Sequence, residues 1–77
     1  MPPNDQPEWV HARRQEIGDH IRAARLRAGL TQERVALRAG IERHNLNRIE
    51  QGHVAARLDT LLRIADAIGV SLADLVR

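Results

Sequence analysis

Gly40 splits the stretch from Thr31 to Gly52, TQERVALRAGIERHNLNRIEQG, into two short helical runs, and this hinge constrains the fold more than any other feature of the chain. Thr31 is of the type that accepts a hydrogen bond from an unpaired first-turn N–H, and Val35, Ala36 and Ala39 follow on one helical face. Gly40 then stands where a left-handed residue ends a helix without a Cβ penalty. The second run begins at once and buries Leu46 and Ile49. With one or two residues for the turn, the helices cannot lie flat together. The second must cross the first and stand partly clear of the body, a geometry suited to entering a groove.

The length of 77 residues allows one domain with a small core and no large catalytic cavity. The expected organisation is a flexible lead-in at 1–7, polar and carrying Pro2 and Pro3, followed by a single domain at 8–77. The absence of cysteine removes disulfides, thiolate chemistry and Cys-based metal sites, and it fits a reducing compartment. No apolar run approaches the ~18 residues of a membrane span, and Met1 to Asp5 lacks the basic start of a secretory signal. A soluble, cytoplasmic protein without membrane contact is expected.

Trp9 is the one aromatic residue, so the core falls to Leu, Ile, Val and Ala, which favours helices over a sheet. The fold class read from this pattern is all-α. Charge is uneven: residues 9–57 hold ten Arg and five acids, whereas 58–77 hold two Arg and three acids. All twelve basic residues are Arg, a side chain suited to bidentate contact with phosphate or guanine, although GC-rich coding enriches Arg as well.

Taken in order, Asp5 and Glu8 have capping-box spacing around Pro7. Val10, Ile17, Ile21, Ala24 and Ala28 then form one amphipathic stripe that ends at Gly29. Gly18 interrupts it, so the segment is either one long helix with a weak point or a shorter one bent near Gln15 to Gly18. Three later pairs, Leu30 and Val35, Ile41 and Leu46, and Val70 and Leu75, have the five-residue separation of a hydrophobic staple across a helix start. The caps between them are Thr31, Glu42 and Ser71, of which Glu42 is the weakest. Leu58, Leu61, Leu62, Ala65 and Ile68 predict a fourth, core-closing helix with Arg57 as a poor cap, and Ser71 to Val76 a last short one.

No constellation of catalytic residues or phosphate-cradling glycine loop is visible. His11 with His20, and His44 with His53, are each nine apart and so out of phase on a helix. Neither an enzyme, a metal site nor a cofactor is expected.

The residues Arg25-Leu26-Arg27-Ala28-Gly29-Leu30-Thr31-Gln32, Ala36, Gly40, Ile49-Glu50-Gln51-Gly52, Leu61 to Ala65 and Gly69-Val70-Ser71 resemble the XRE class of helix-turn-helix domains, which includes phage repressors and Cro. The resemblance runs from about Ile17 to Leu75. It implies a compact, lambda-repressor-like bundle of five helices, with the helix at 42–51 in the DNA major groove. Arg43, His44, Asn47 and Arg48 would then meet bases, on the side opposite Leu46 and Ile49. An Arg fork matches guanine O6 and N7, and Asn47 matches adenine N6 and N7. Gln32, at a helix start, would clamp one phosphate, and Gln51 with the amides around Gly52 and His53 a second, with Arg57 nearby. Glu50 sits on the last turn of its helix, where the dipole disfavours an anion, and the resemblance gives it Arg25 as a structural ion-pair partner.

Glu42 departs from the Ser or Thr frequent in the family, and Ala56-Arg57 from a frequent Pro-Ser. The expected function is a sequence-specific regulator of transcription on double-stranded DNA, a repressor, acting as a homodimer through Val70, Leu72, Leu75 and Val76. The competing class is a protein-interaction module, antitoxin-like or coactivator-like, for which Leu37, off the apolar face of its helix, supplies a surface.

Overall fold

A computed structural model describes residues 6–77. Five helices follow one another: α1 (Glu8–Arg27), α2 (Gln32–Ala39), α3 (Arg43–Glu50), α4 (Leu58–Ile68) and α5 (Leu72–Val76). The described residues contain no strand. The Asp5 half of the expected capping box lies outside the described residues; α1 starts after Pro7 with no side-chain cap.

The three staple spacings coincide with three helix starts. Thr31, Glu42 and Ser71 are the N-caps of α2, α3 and α5. Thr31 Oγ1 accepts from the Arg34 N–H at 3.0 Å, and Ser71 and Asp74 form a reciprocal capping box. Glu42 makes no such bond. The inner staple residues Val35, Leu46 and Leu75 are buried, and Leu30, Ile41 and Val70 pack against the same core.

The turn between α2 and α3 takes three residues, Gly40, Ile41 and Glu42, rather than one or two. Gly40 is left-handed (φ 71°), and the Ile41 N–H donates back to the Ala36 carbonyl at 3.0 Å. The extra residue is the staple itself: Ile41 must turn inward before Glu42 opens the next helix.

Helix α1 is uninterrupted through Gly18, and the reason is packing rather than bending. A Cβ on Gly18 would stand 2.4 Å from the Glu50 carbonyl oxygen and 2.6 Å from that of Ile49. The glycine removes the side chain that would hold α3 away from α1. The same crossing is tight one turn further on, where a Cβ on Gly52 would stand 2.8 Å from the Gln15 Cα.

Helix α4 buries Ile64, Ala65, Ala67 and Ile68, with Leu61 against the core, while Leu58 and Leu62 are exposed. The apolar run is wider than the face α4 can bury, so two of the leucines expected inside remain at its edge. Trp9 is also outside, 70 % exposed beside Val10 and the Val54 to Ala56 loop in a shallow apolar groove. It stands near the tip of the long first helix, beyond the core.

The candidate nucleic-acid interface

α3 divides its residues by depth. Leu46, Ile49 and Glu50 are buried, Asn47 is half-buried, and Arg43, His44, Asn45 and Arg48 are exposed. At 100° per residue His44 and Arg48 point most directly away from the buried face, with Asn45 and Asn47 on either flank. Asn45 was not singled out by sequence, although the same helical count from Leu46 places it outward. Arg43 lies closer to the buried side than the expectation placed it. It lines a shallow depression with Thr31, Gln32 and Glu33 at the start of α2.

The buried side of α3 is held by charge. Arg25 Nε donates to Glu50 Oε2 at 2.8 Å and Arg25 Nη2 to Oε1 at 3.1 Å, a two-pronged pair in which both residues are nearly fully enclosed. The guanidinium also donates through Nη1 to the Leu30 carbonyl at 3.0 Å. With every carboxylate oxygen paired, Glu50 is stabilised although it sits at the end of α3 where the dipole opposes it. Breaking the pair from one side would strand the other charge.

Gln32 joins this network instead of standing free for a phosphate. Its Nε2 donates to Glu50 Oε1 at 3.1 Å and to Asn47 Oδ1 at 3.0 Å. Gln51 Nε2 also approaches Asn47 Oδ1, at 3.5 Å. The second expected phosphate cradle changes too. The Gly52 N–H donates to the Ile49 carbonyl and the His53 N–H to the Arg48 carbonyl, both at 3.0 Å, so those amides close the end of α3. The side chains of Gln51, His53 and Arg57 are exposed beyond it. The wider setting is basic, since α1 to α3 carry most of the arginines.

Of the four residues expected at a dimer surface, Leu75 is fully enclosed in the chain's own core and is unavailable to a partner. The staple spacing that put Leu75 on α5 also sends it inward. Val70, Leu72 and Val76 are half-buried. α5 is tied to α1 by its carbonyls: His20 Nδ1 donates to the Leu75 carbonyl at 2.9 Å, and Arg13 donates to that of Val76.

Two short helices hinged at a glycine, the second packed by one face and open on the other, define a helix-turn-helix protein. Residues 21–75 match the HTH_3 helix-turn-helix family, and the chain belongs to it. It is a DNA-binding transcriptional regulator of that class. An HTH-type transcriptional regulator of Sinorhizobium fredii, y4dJ, is 36 % identical over 63 residues, which is 82 % of either chain. The restriction-modification controller protein C.AhdI of Aeromonas hydrophila superposes with a TM-score of 0.81 at 28 % identity, over 83 % of this chain and 97 % of that one. The clp gene regulator ClgR of Corynebacterium glutamicum superposes with a TM-score of 0.78 at 25 % identity, over 82 % of each chain. No described helix is long and apolar enough to cross a membrane.

Proposed function

We propose that the chain is a cytoplasmic repressor that binds its operator as a homodimer, inserting α3 into the major groove and acting by occupancy rather than catalysis. The observation that carries this reading is the split of α3: an inner face fixed to α1 by Gly18 and the Arg25–Glu50 pair, and an outer face of exposed His44, Asn45 and Arg48. A reading helix needs both, because base contacts hold only if the backbone behind them does not move. Arg48 offers a fork to guanine, and Arg43, the first residue of α3, lies against the start of α2.

A lone domain of this size makes few base contacts, and two copies on half-sites about 34 Å apart double them. The half-buried Val70, Leu72 and Val76 are the surface proposed for that pairing. Selection of bound sequences from a random duplex library tests the whole reading. A two-fold-related site is expected, and Arg48→Ala relaxes the preference at one base pair by about 1–3 kcal/mol. Wild-type protein that retains no duplex even at low salt overturns it.

A second reading rests on Leu37, which is 73 % exposed on α2. A protein partner docking there would make DNA contact secondary. Leu37→Ser would then abolish function in cells while leaving duplex binding in vitro unchanged; equal function in cells removes this reading.

A further inference from the structure

We propose that the groove between the first half of α1 and the loop after α3 is a binding site for a small carboxylate with an apolar tail. The site lies off the reading face of α3. The α1 residues that wall it, Trp9 to Ile17, precede residues 21–75, which match the family.

Size and lining set the class of occupant. The groove holds about 320 Å3, at the lower end of the range for small-molecule sites, which suits one short tail or ring. Val10, Ile17, Ile49, Val54 and Leu61 line it, and Trp9, 70 % exposed, lines it as well. An apolar tail that leaves water for these side chains is stabilised by burial, and so is the indole it covers.

Charge decides the polar end of the molecule. Arg13 and Arg14 line the groove and, among the described residues, no acid does. Arg13 is already engaged: it pairs with Glu16 at 3.2 Å and donates to the Val76 carbonyl. Arg14 is not. Its Nη2 donates to His11 Nδ1 at 2.9 Å, but among the described residues it has no acidic partner, and its enclosed Nε meets no acceptor. A guanidinium only donates, and an enclosed donor left unmatched is costly, so what this corner lacks is an anionic acceptor. A carboxylate fits, because its two oxygens match the planar fork of an arginine. A doubly charged phosphate would meet the same fork but lose more hydration against apolar walls. A molecule seated this way rests against Ile49, on the inner face of α3, and against the loop that follows that helix.

Trp9 makes the test direct, because it is the chain's only aromatic residue and stands on the site. Octanoate, octanol and octylamine are each titrated below the concentration at which micelles form, and Trp9 emission is followed. Octanoate should give a saturable shift to shorter wavelength, with octanol about tenfold weaker and octylamine without a saturable effect. Arg14→Gln should bring octanoate to the level of octanol. Arg63→Gln, at an exposed arginine outside the groove, should keep the tenfold difference. Should Arg14→Gln fail to fold, the octanoate-to-octanol ratio of wild type decides alone. Equal binding of acid and alcohol overturns the proposal, and so does a drift that never saturates, which is adsorption to the surface. Emission that shifts with protein concentration before any carboxylate is added gives the groove to a second copy of the chain and overturns it too. All of these outcomes are read without DNA, so they leave the duplex-binding reading to its own test.

Discussion

Helix α1 holds α3 and α5 by opposite devices. Two residues seven apart, Gly18 and Arg25, face α3; two others seven apart, Arg13 and His20, reach α5. Toward α3 the side chain is first deleted, so that backbone meets backbone, and then replaced one face-repeat later by a buried charge pair. Toward α5 long polar side chains bridge a gap to terminal carbonyls, and enclosed Leu75 supplies the anchoring. The difference matches what each helix does. A helix that presents side chains to a ligand has to be fixed in rotation and depth, whereas a closing helix needs only to stay on.

The two junctions should therefore fail differently. Glu50→Ala leaves the Arg25 guanidinium buried without its partner, and a loss of about 3–5 kcal/mol is expected in urea unfolding. Replacing both, as Arg25→Met with Glu50→Leu, should recover most of that stability, since an apolar pair of similar volume is often neutral or better. A double variant as unstable as the single one would mean that the contact depends on something other than the stranded charge. Gly18→Ala comes next, at about 1–3 kcal/mol, because its Cβ meets carbonyl oxygens that cannot rotate away. Since the clash displaces α3, duplex affinity should fall by more than the stability change explains at temperatures where the protein is still folded. Unaltered affinity would show that α3 is not held by this approach.

The smallest effect belongs to α5. Hydrogen bonds from the Ser71 hydroxyl and backbone N–H, together with the Arg77 guanidinium, hold the Asp74 carboxyl below its usual value of 3.8. A depressed carboxylate stabilises the fold above its unfolded value and loses that contribution as pH falls through the lower folded value. The Asp74 side chain is partly exposed and its partners lie at the surface, so Asp74→Asn should shift the melting temperature slightly at pH 7 and not at all at pH 2. An equal shift at both would assign the loss to helix capping and not to the charge.

Local periodicity made much of the architecture legible. The three staple pairs and the caps Thr31 and Ser71 depend on neighbours in sequence, and the structure uses each at a helix start. What sequence left open involves partners far along the chain. Gly18 reads as a weak point in a helix until α3 is known to cross there. Leu58 and Leu62 repeat with helical spacing, yet which of the α4 leucines go inside depends on where α2 lies. In the candidate interface, outward His44 and Arg48 follow from the helical count, whereas the bond from Gln32 to Asn47 spans a turn whose geometry no spacing rule gives. The inward course of Leu75 was contained in its staple position, and reading that residue as surface set two uses of one side chain against each other.

The split face of α3 also bears on how such a protein diversifies. His44, Asn45 and Arg48 are exposed and stand apart from the core, so substitutions there change what is bound while folding proceeds as before. Asn47 is not so insulated: its partner Gln32 also touches the buried Glu50. New target preferences should therefore accumulate through single changes at 44, 45 and 48, and through coordinated pairs at 32 and 47.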